Sequence, residues 1–285
     1  MIRSILLPLA EGSHAVDAKD YAFWLAQKEG GQIHALAVID SRALEIPIIG
    51  TPDSFMPSTM AAGLEENQSL LEEMSAAAKE RLAQFAGECE KKNISCSTDI
   101  GTGVPDDLIA RCAVAHDIII LARSGFKRAG SEPQRLDPMV SHVIRNSVRP
   151  VLVVGRPFSE AGDSLTIMAA YDGSMHAGRS LMVAAELGSR PGVRCILVTA
   201  ASSEDIGQEL SASAEAFLCN HGVMPNRRVV VSSKPSDLIC SLAASEKVDI
   251  VIMGAYGHGP IREMFFGSNT ERVLTHCNSN IILQS

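Results

Sequence analysis

One pattern is written twice along this chain, and the repetition limits it to a fold built from two similar units. Ile167-Met168-Ala169-Ala170-Tyr171-Asp172-Gly173-Ser174 answers Leu6-Leu7-Pro8-Leu9-Ala10-Glu11-Gly12-Ser13. Lys234-Pro235-Ser236-Asp237-Leu238-Ile239 answers Val104-Pro105-Asp106-Asp107-Leu108-Ile109. Val248 to Gly254 lies over Ala115 to Ala122, and Ile281-Ile282-Leu283 over Val151-Leu152-Val153. The stretch from Arg156 to Ser164, with its Pro, Gly and Ser, suits a boundary, so domains are expected over 1–155 and 165–285.

Within the first unit, short apolar runs alternate with segments of helical periodicity. A strand over Ile2 to Leu9 precedes a helix that Ser13 can cap and Gly30-Gly31 stop. A second strand, Ile33 to Ile39, leads into a long loop containing Pro47, Gly50, Pro52 and Pro57. Ala61 to Lys92 carries apolar residues at helical spacing, with Leu70, Leu71, Met74, Ala78, Leu82 and Phe85 on one face. A strand near Ser95 to Ile100, a helix from Asp106 to Ala115, a strand from Asp117 to Ala122, a helix opened by Asp137 and Pro138, and a strand from Val151 to Val154 complete the unit. Runs such as Ile118-Ile119-Ile120-Leu121 fit strands covered on both faces. The expected class is α/β, two tandem open parallel sheets with helices on both faces and right-handed crossovers. If the last strand is a sheet edge in each unit, Val151 to Val154 and Ile281 to Leu283 are apolar edges, and pairing them would cover both.

Composition narrows the function classes. With 285 residues, 46% hydrophobic and 20% charged, the chain can bury proper cores. Its apolar runs fall short of the ~20 residues of a membrane helix, and the N-terminal run recurs mid-chain, so it reads as a strand and not a targeting segment. A net charge of −8 argues against nucleic acid as a partner. Seven cysteines without a C-x-x-C pair suit a reducing cytoplasm, and eight histidines show no metal-ligand spacing.

The chemistry concentrates near the C-terminus. The run Val248-Asp249-Ile250-Val251-Ile252-Met253 ends at Gly254-Ala255-Tyr256-Gly257, and nine residues later comes Gly267-Ser268-Asn269-Thr270-Glu271. Ser268-x-x-Glu271 is a capping-box pattern that starts a helix there. Gly254 and Gly257 would permit φ > 0 and a close approach to a ligand, while the helix start offers free N–H groups to an anion. Glycines that merely shape a turn are the alternative.

On these residues the chain resembles a tandem universal stress protein along nearly all its length. The specific part is a G-x2-G-x9-G-[S/T] motif, met by Gly254, Gly257, Gly267 and Ser268, with Asp172 in the turn after the first strand. The resemblance implies sheets of order 3-2-1-4-5, like the adenine nucleotide α-hydrolases, and ATP or another adenine nucleotide, with or without Mg2+, at the carboxyl ends of strands 1 and 4. A ligand is also expected where strand order reverses. It implies Asp172 toward the ribose, the backbone around Ala200 toward adenine, and the glycine turn with Ser268 and Asn269 around the phosphates. Two readings of His258 stay open, contact with a terminal phosphate and a solvated loop side chain. Single-unit members dimerise through the last strand, so the chain resembles a fused dimer, with a further homodimer left open.

The first unit departs from the motif. Ala122 stands in place of Gly254, and Asp137-Pro138 in place of Gly267-Ser268; an aspartate cap followed by proline satisfies the helix end and repels phosphate. Gly125 alone remains of the motif, Glu11 takes the aspartate position, and Arg123, Lys127, Arg128 and Arg135 read as a solvated loop. The second loop lacks a Walker lysine, and His258, Arg262 and Glu263 do not make a phosphoryl-transfer constellation. The expectation is a cytoplasmic stress-response sensor or adaptor with an unspecified protein partner. The alternatives are a slow ATPase or nucleotide-dependent transferase using His258 or Glu263, and an interaction module without ligand.

Overall fold

A computed structural model describes residues 2–10, 14–44, 57–123, 137–158, 165–255 and 268–285. The first half runs β1 (Ser4–Pro8), α1 (Ala15–Glu29), β2 (Gln32–Asp40), a short 3-10 turn at Ser41–Leu44, α2 (Pro57–Lys91), β3 (Ser95–Gly103), α3 (Pro105–Ala113), β4 (Ile118–Ala122), α4 (Pro138–Asn146) and β5 (Val151–Val154). The second half repeats the order with β6 (Leu165–Ala170), α5 (Met175–Gly188), β7 (Val193–Ala201), α6 (Glu204–Asn220), β8 (Asn226–Val231), α7 (Pro235–Ser245), β9 (Ile250–Gly254), α8 (Ser268–His276) and β10 (Asn280–Gln284).

The strands form a single ten-stranded sheet of order β3-β2-β1-β4-β5-β10-β9-β6-β7-β8. Read inward from its outer edge, each half has the order 3-2-1-4-5, and its internal pairs are parallel. The halves join where β10 pairs antiparallel with β5, setting Ile281 against Val153, Ile282 against Leu152 and Leu283 against Val151. All six residues are buried. What would be two apolar edges thus becomes the centre of the sheet.

Alternating side chains of each strand feed two cores, as the period-two geometry requires. Ile5 and Leu7 pack with residues of α1 and α2, while Leu6 packs with residues of α3 and α4. The second half repeats the division, Ile167 and Ala169 facing one core and Met168 the other.

Helix ends follow local chemistry. Gly30 caps α1 in the left-handed region at φ 62°. α1 starts at Ala15 with His14 in the cap position and no side-chain cap bond, and Ser13 lies outside the described residues. Ser174 caps α5 by accepting from the Ala177 N–H at 3.2 Å. α2 begins at Pro57 rather than Ala61, consistent with proline's fitness for a first helical position.

Arg123 departs from the solvated loop expected of it. It is half-buried, and its guanidinium donates to the Cys277 carbonyl at 3.5 Å and the Ser279 carbonyl at 3.4 Å, across the junction of the halves. Lys127, Arg128 and Arg135 lie outside the described residues, as do Gly125, Glu11 and the loop bearing Pro47, Gly50 and Pro52.

Candidate functional site

The repeat leaves each half with a crevice where strand order reverses, at the carboxyl ends of β1 and β4 and of β6 and β9. In the second half, β6 pairs with β7 on one side and β9 on the other, so the chain leaves Ala170 into the gap between them. Tyr171 continues the pairing through its N–H to the Val198 carbonyl at 2.9 Å. Asp172 follows, half-buried, and its Oδ1 accepts from the Ser174 N–H at 2.9 Å. Gly173 turns the chain at φ +79°, a conformation that suits glycine. This short bond holds the Asp172 carboxylate beside the start of α5, and a carboxylate has lone pairs for further donors, such as ribose hydroxyls.

Gly254 closes β9, and its requirement differs from the one its spacing suggests. It is absent from the glycines at positive φ. A Cβ built on it would stand 2.7 Å from the Ala177 backbone nitrogen and 2.9 Å from the carbonyl carbon and Cβ of His176. Gly254 therefore lets the first turn of α5 rest against the strand end, a helix–strand approach that any side chain would block. The backbone, not a ligand, occupies the space that glycine frees.

The start of α8 is tied to the same strand exit. Thr270, buried, donates its hydroxyl to the Ala255 carbonyl at 2.8 Å, and the Ala255 N–H donates to the Gln284 carbonyl at 2.8 Å. α8 begins at Ser268, and Asn269 is exposed in its first turn. The first N–H groups of any helix lack partners within it, and the end carries partial positive charge. Ala200 lies near the end of β7, half-buried and paired with Val230. The structure thus brings Asp172, Gly254 and the α8 start to adjoining strand ends, with Ala200 one strand over. Gly257, His258 and Gly267, with Arg262 and Glu263, lie outside the described residues. The spacing did not single out Ser174 and Thr270, the two hydroxyls that fix the flanking helices; a hydroxyl at each helix start was the available signal.

The corresponding place in the first half holds a carboxylate of its own. Asp137 caps α4, its Oδ1 accepting from the Met139 N–H at 2.9 Å, with Pro138 in the first turn. The capping residue is only 4% exposed, so a carboxylate is held where an anion would need donors. Ala122, the counterpart of Gly254, is buried at the end of β4.

Another group assembles beyond what spacing reveals. His142 of α4 places Nδ1 3.2 Å from Asp106 Oδ2 and Nε2 3.6 Å from Asp107 Oδ1, both on α3. The three donor atoms lie within 4.8 Å of one another. Asp107 is 71% exposed at its side chain, so this is a solvated acid–histidine cluster on the surface.

Comparison with known proteins agrees with the architecture. The model of the universal stress protein family matches the chain twice, over residues 1–155 and 165–283. The universal stress protein Slr1230 of Synechocystis sp. is 26% identical over 285 residues, covering 96% of each chain. A universal stress protein of Thermus aquaticus, a single unit, is 28% identical over 133 residues, covering 41% of this chain and 96% of its own. Among solved structures, a universal stress protein from Archaeoglobus fulgidus DSM 4304 superposes with a TM-score of 0.76 at 18% identity, covering 99% of this chain and 98% of that one, a likeness of fold. Among the described residues, no helix is long and apolar enough to cross a membrane.

Proposed function

The chain belongs to the universal stress protein family, and from that premise we propose that its second half binds an adenine nucleotide, ATP with or without Mg2+, at the ends of β6 and β9. The observation that carries this reading is the contrast between the two helix starts. α4 is capped by its own Asp137 and opened by Pro138, whereas α8 opens on Ser268 and is anchored through Thr270 to the exit of β9. A helix start of the second kind attracts an anion by roughly 0.3–2 kcal/mol, and a carboxylate in the same place removes that attraction.

In this reading Asp172 is the acceptor for the ribose, the backbone at Ala200 serves the base, and the start of α8 at Ser268 and Asn269 receives the phosphates, the roles of Gly257, Gly267 and His258 following from the family motif alone, while Gly254 seats α5 against the strand end. The two halves act as domains 1–155 and 165–285, of which only the second is loaded. Its occupancy alters a surface read by a protein partner in the cytoplasm, and the joined sheets make the chain an intramolecular pseudo-dimer.

Calorimetric titration with ATP tests the reading. The wild-type chain takes up one nucleotide, and a Gly267→Asp, Ser268→Pro variant, which copies the first half, takes up none while keeping its far-UV spectrum. Equal uptake by the two proteins, or uptake by neither, contradicts it.

A further inference from the structure

The replacement of Gly254 by Ala122 in the first half has a second effect, on the helix it faces. In the second half, His176 and Ala177 close directly on Gly254, leaving 2.7–2.9 Å where a Cβ would sit. The repeat sets Ala15 and Val16 in their places. Ala122 carries the Cβ that Gly254 lacks, and Ala15, Val16 and Ala122 line an open cavity of about 150 Å³. In the second half, Leu210 of α6 lies against the turn after β6, where a Cβ on Gly173 would meet its Cδ2 at 2.7 Å. In the first half, the helix following the second strand, α2, contributes Arg81, Phe85 and Glu88 to the cavity.

The cavity is two-natured. Leu7 and Phe85, both buried, form apolar wall. The charged part of the lining holds two cations, Lys19 and Arg81, against one carboxylate, Glu88, which Lys19 engages at 2.9 Å through both oxygens. Apolar cavities of about this volume accept a molecule the size of benzene. A guanidinium has five donors in a planar fork, suited to a carboxylate in addition to any other partner.

We propose that this cavity binds a small monocarboxylate with a ring-sized or short aliphatic body, the body between Leu7, Phe85 and Ala122 and the carboxylate at Arg81 and Lys19. The site is independent of nucleotide: the same Gly-to-Ala difference that narrows the first crevice leaves room beneath α1 for a different ligand.

Titration of the full-length chain with benzoate, and with benzyl alcohol as its uncharged counterpart, tests this by calorimetry and by chemical-shift changes. Benzoate is expected to bind saturably and about tenfold more tightly than benzyl alcohol, the scale of a charge-assisted hydrogen bond. Arg81→Gln should remove that preference. Ala15→Leu, which plugs the cavity from the half-buried first residue of α1, should abolish binding without lowering the melting temperature. Saturating ATP should leave benzoate affinity unchanged. The proposal is overturned by an absence of saturable binding in the millimolar range, by equal affinity for the two probes, by benzoate binding that survives Ala15→Leu, or by competition with ATP.

Discussion

The side-chain amide of Asn280 donates to the phenol oxygen of Tyr21 at 2.7 Å, a buried bond between residues 259 positions apart that crosses from one half to the other. The same Asn280 accepts, through Oδ1, the N–H groups of Gly155 at 2.9 Å and Arg156 at 3.0 Å. Burial pushes the Tyr21 phenol well above its ordinary range, the Asn280 hydrogen bond opposing that shift, so the ring is a neutral strut. Phe158 meets it edge-on at 4.9 Å, and Arg190 lies 5.1 Å above the neighbouring Trp24 ring.

Tyr21→Phe leaves the Asn280 amide without its acceptor and is expected to cost about 1–3 kcal/mol, the penalty of a stranded buried donor. Asn280→Ala should cost more, because it also strands the Gly155 and Arg156 N–H groups. Urea unfolding of both variants checks the order; a smaller loss for Asn280→Ala than for Tyr21→Phe would contradict the assignment of three bonds to this side chain.

Gly254→Ala places a Cβ 2.7 Å from the Ala177 nitrogen. The expected loss is about 1–3 kcal/mol, as for other overpacked sites, with α5 pushed away from β9. Since Asp172 sits just ahead of that helix, ATP affinity should fall in the same variant. A protein with unaltered stability and affinity would show that the helix can give way freely.

Gly254 and Arg123 show how much the sequence discloses and where it stops. The repeat, the apolar strands and the α/β class are all readable from periodicity, and the Asp137–Pro138 cap from residue type. Gly254 is readable as a required glycine, but spacing suggests a ligand or a positive φ, while the structure supplies a helix backbone as the close neighbour. Arg123 is misread for the same reason. A cation after a strand looks solvated, and its carbonyl partners at Cys277 and Ser279 are 154 and 156 residues away. Local pattern reports what a residue tolerates, and tertiary packing decides what it meets.

Arg123→Ala removes the guanidinium from that junction. Burial lowers the pKa of this arginine, and it is expected to stay charged because the group is so strongly basic. Loss of two charge-assisted contacts should destabilise the protein by about 1–3 kcal/mol, measured by the urea midpoint. Arg123→Lys should recover part of this at most, since an ammonium does not reproduce the planar fork. Full recovery would argue for a simple charge requirement.

Stability should also depend on pH through His116. Its Nδ1 lies 2.7 Å from Ser4 Oγ, and its ring stacks on His34 at 5.1 Å between centroids. Burial first, then the neighbouring His34, lowers its pKa below the ordinary 6.5. The unfolded chain therefore takes up this proton before the folded one, and stability is complete above the unfolded value and is lost as pH falls through it toward the folded value. Urea midpoints between about pH 7.5 and pH 5.5 should decline, and His116→Gln should flatten the decline. An equally steep slope in that variant would show that His116 is not the source of the decline.

If one crevice of the two holds nucleotide, as proposed above, the direct measurement is the nucleotide carried by the protein itself. Chain purified from cells without added ligand is denatured, and the supernatant is analysed by anion-exchange chromatography alongside equilibrium dialysis with ATP. One adenine nucleotide site per chain is expected, absent from the Gly267→Asp, Ser268→Pro variant. No released nucleotide together with no uptake at around 1 mM ATP, an affinity worth only about 4 kcal/mol, or two sites per chain, would contradict it.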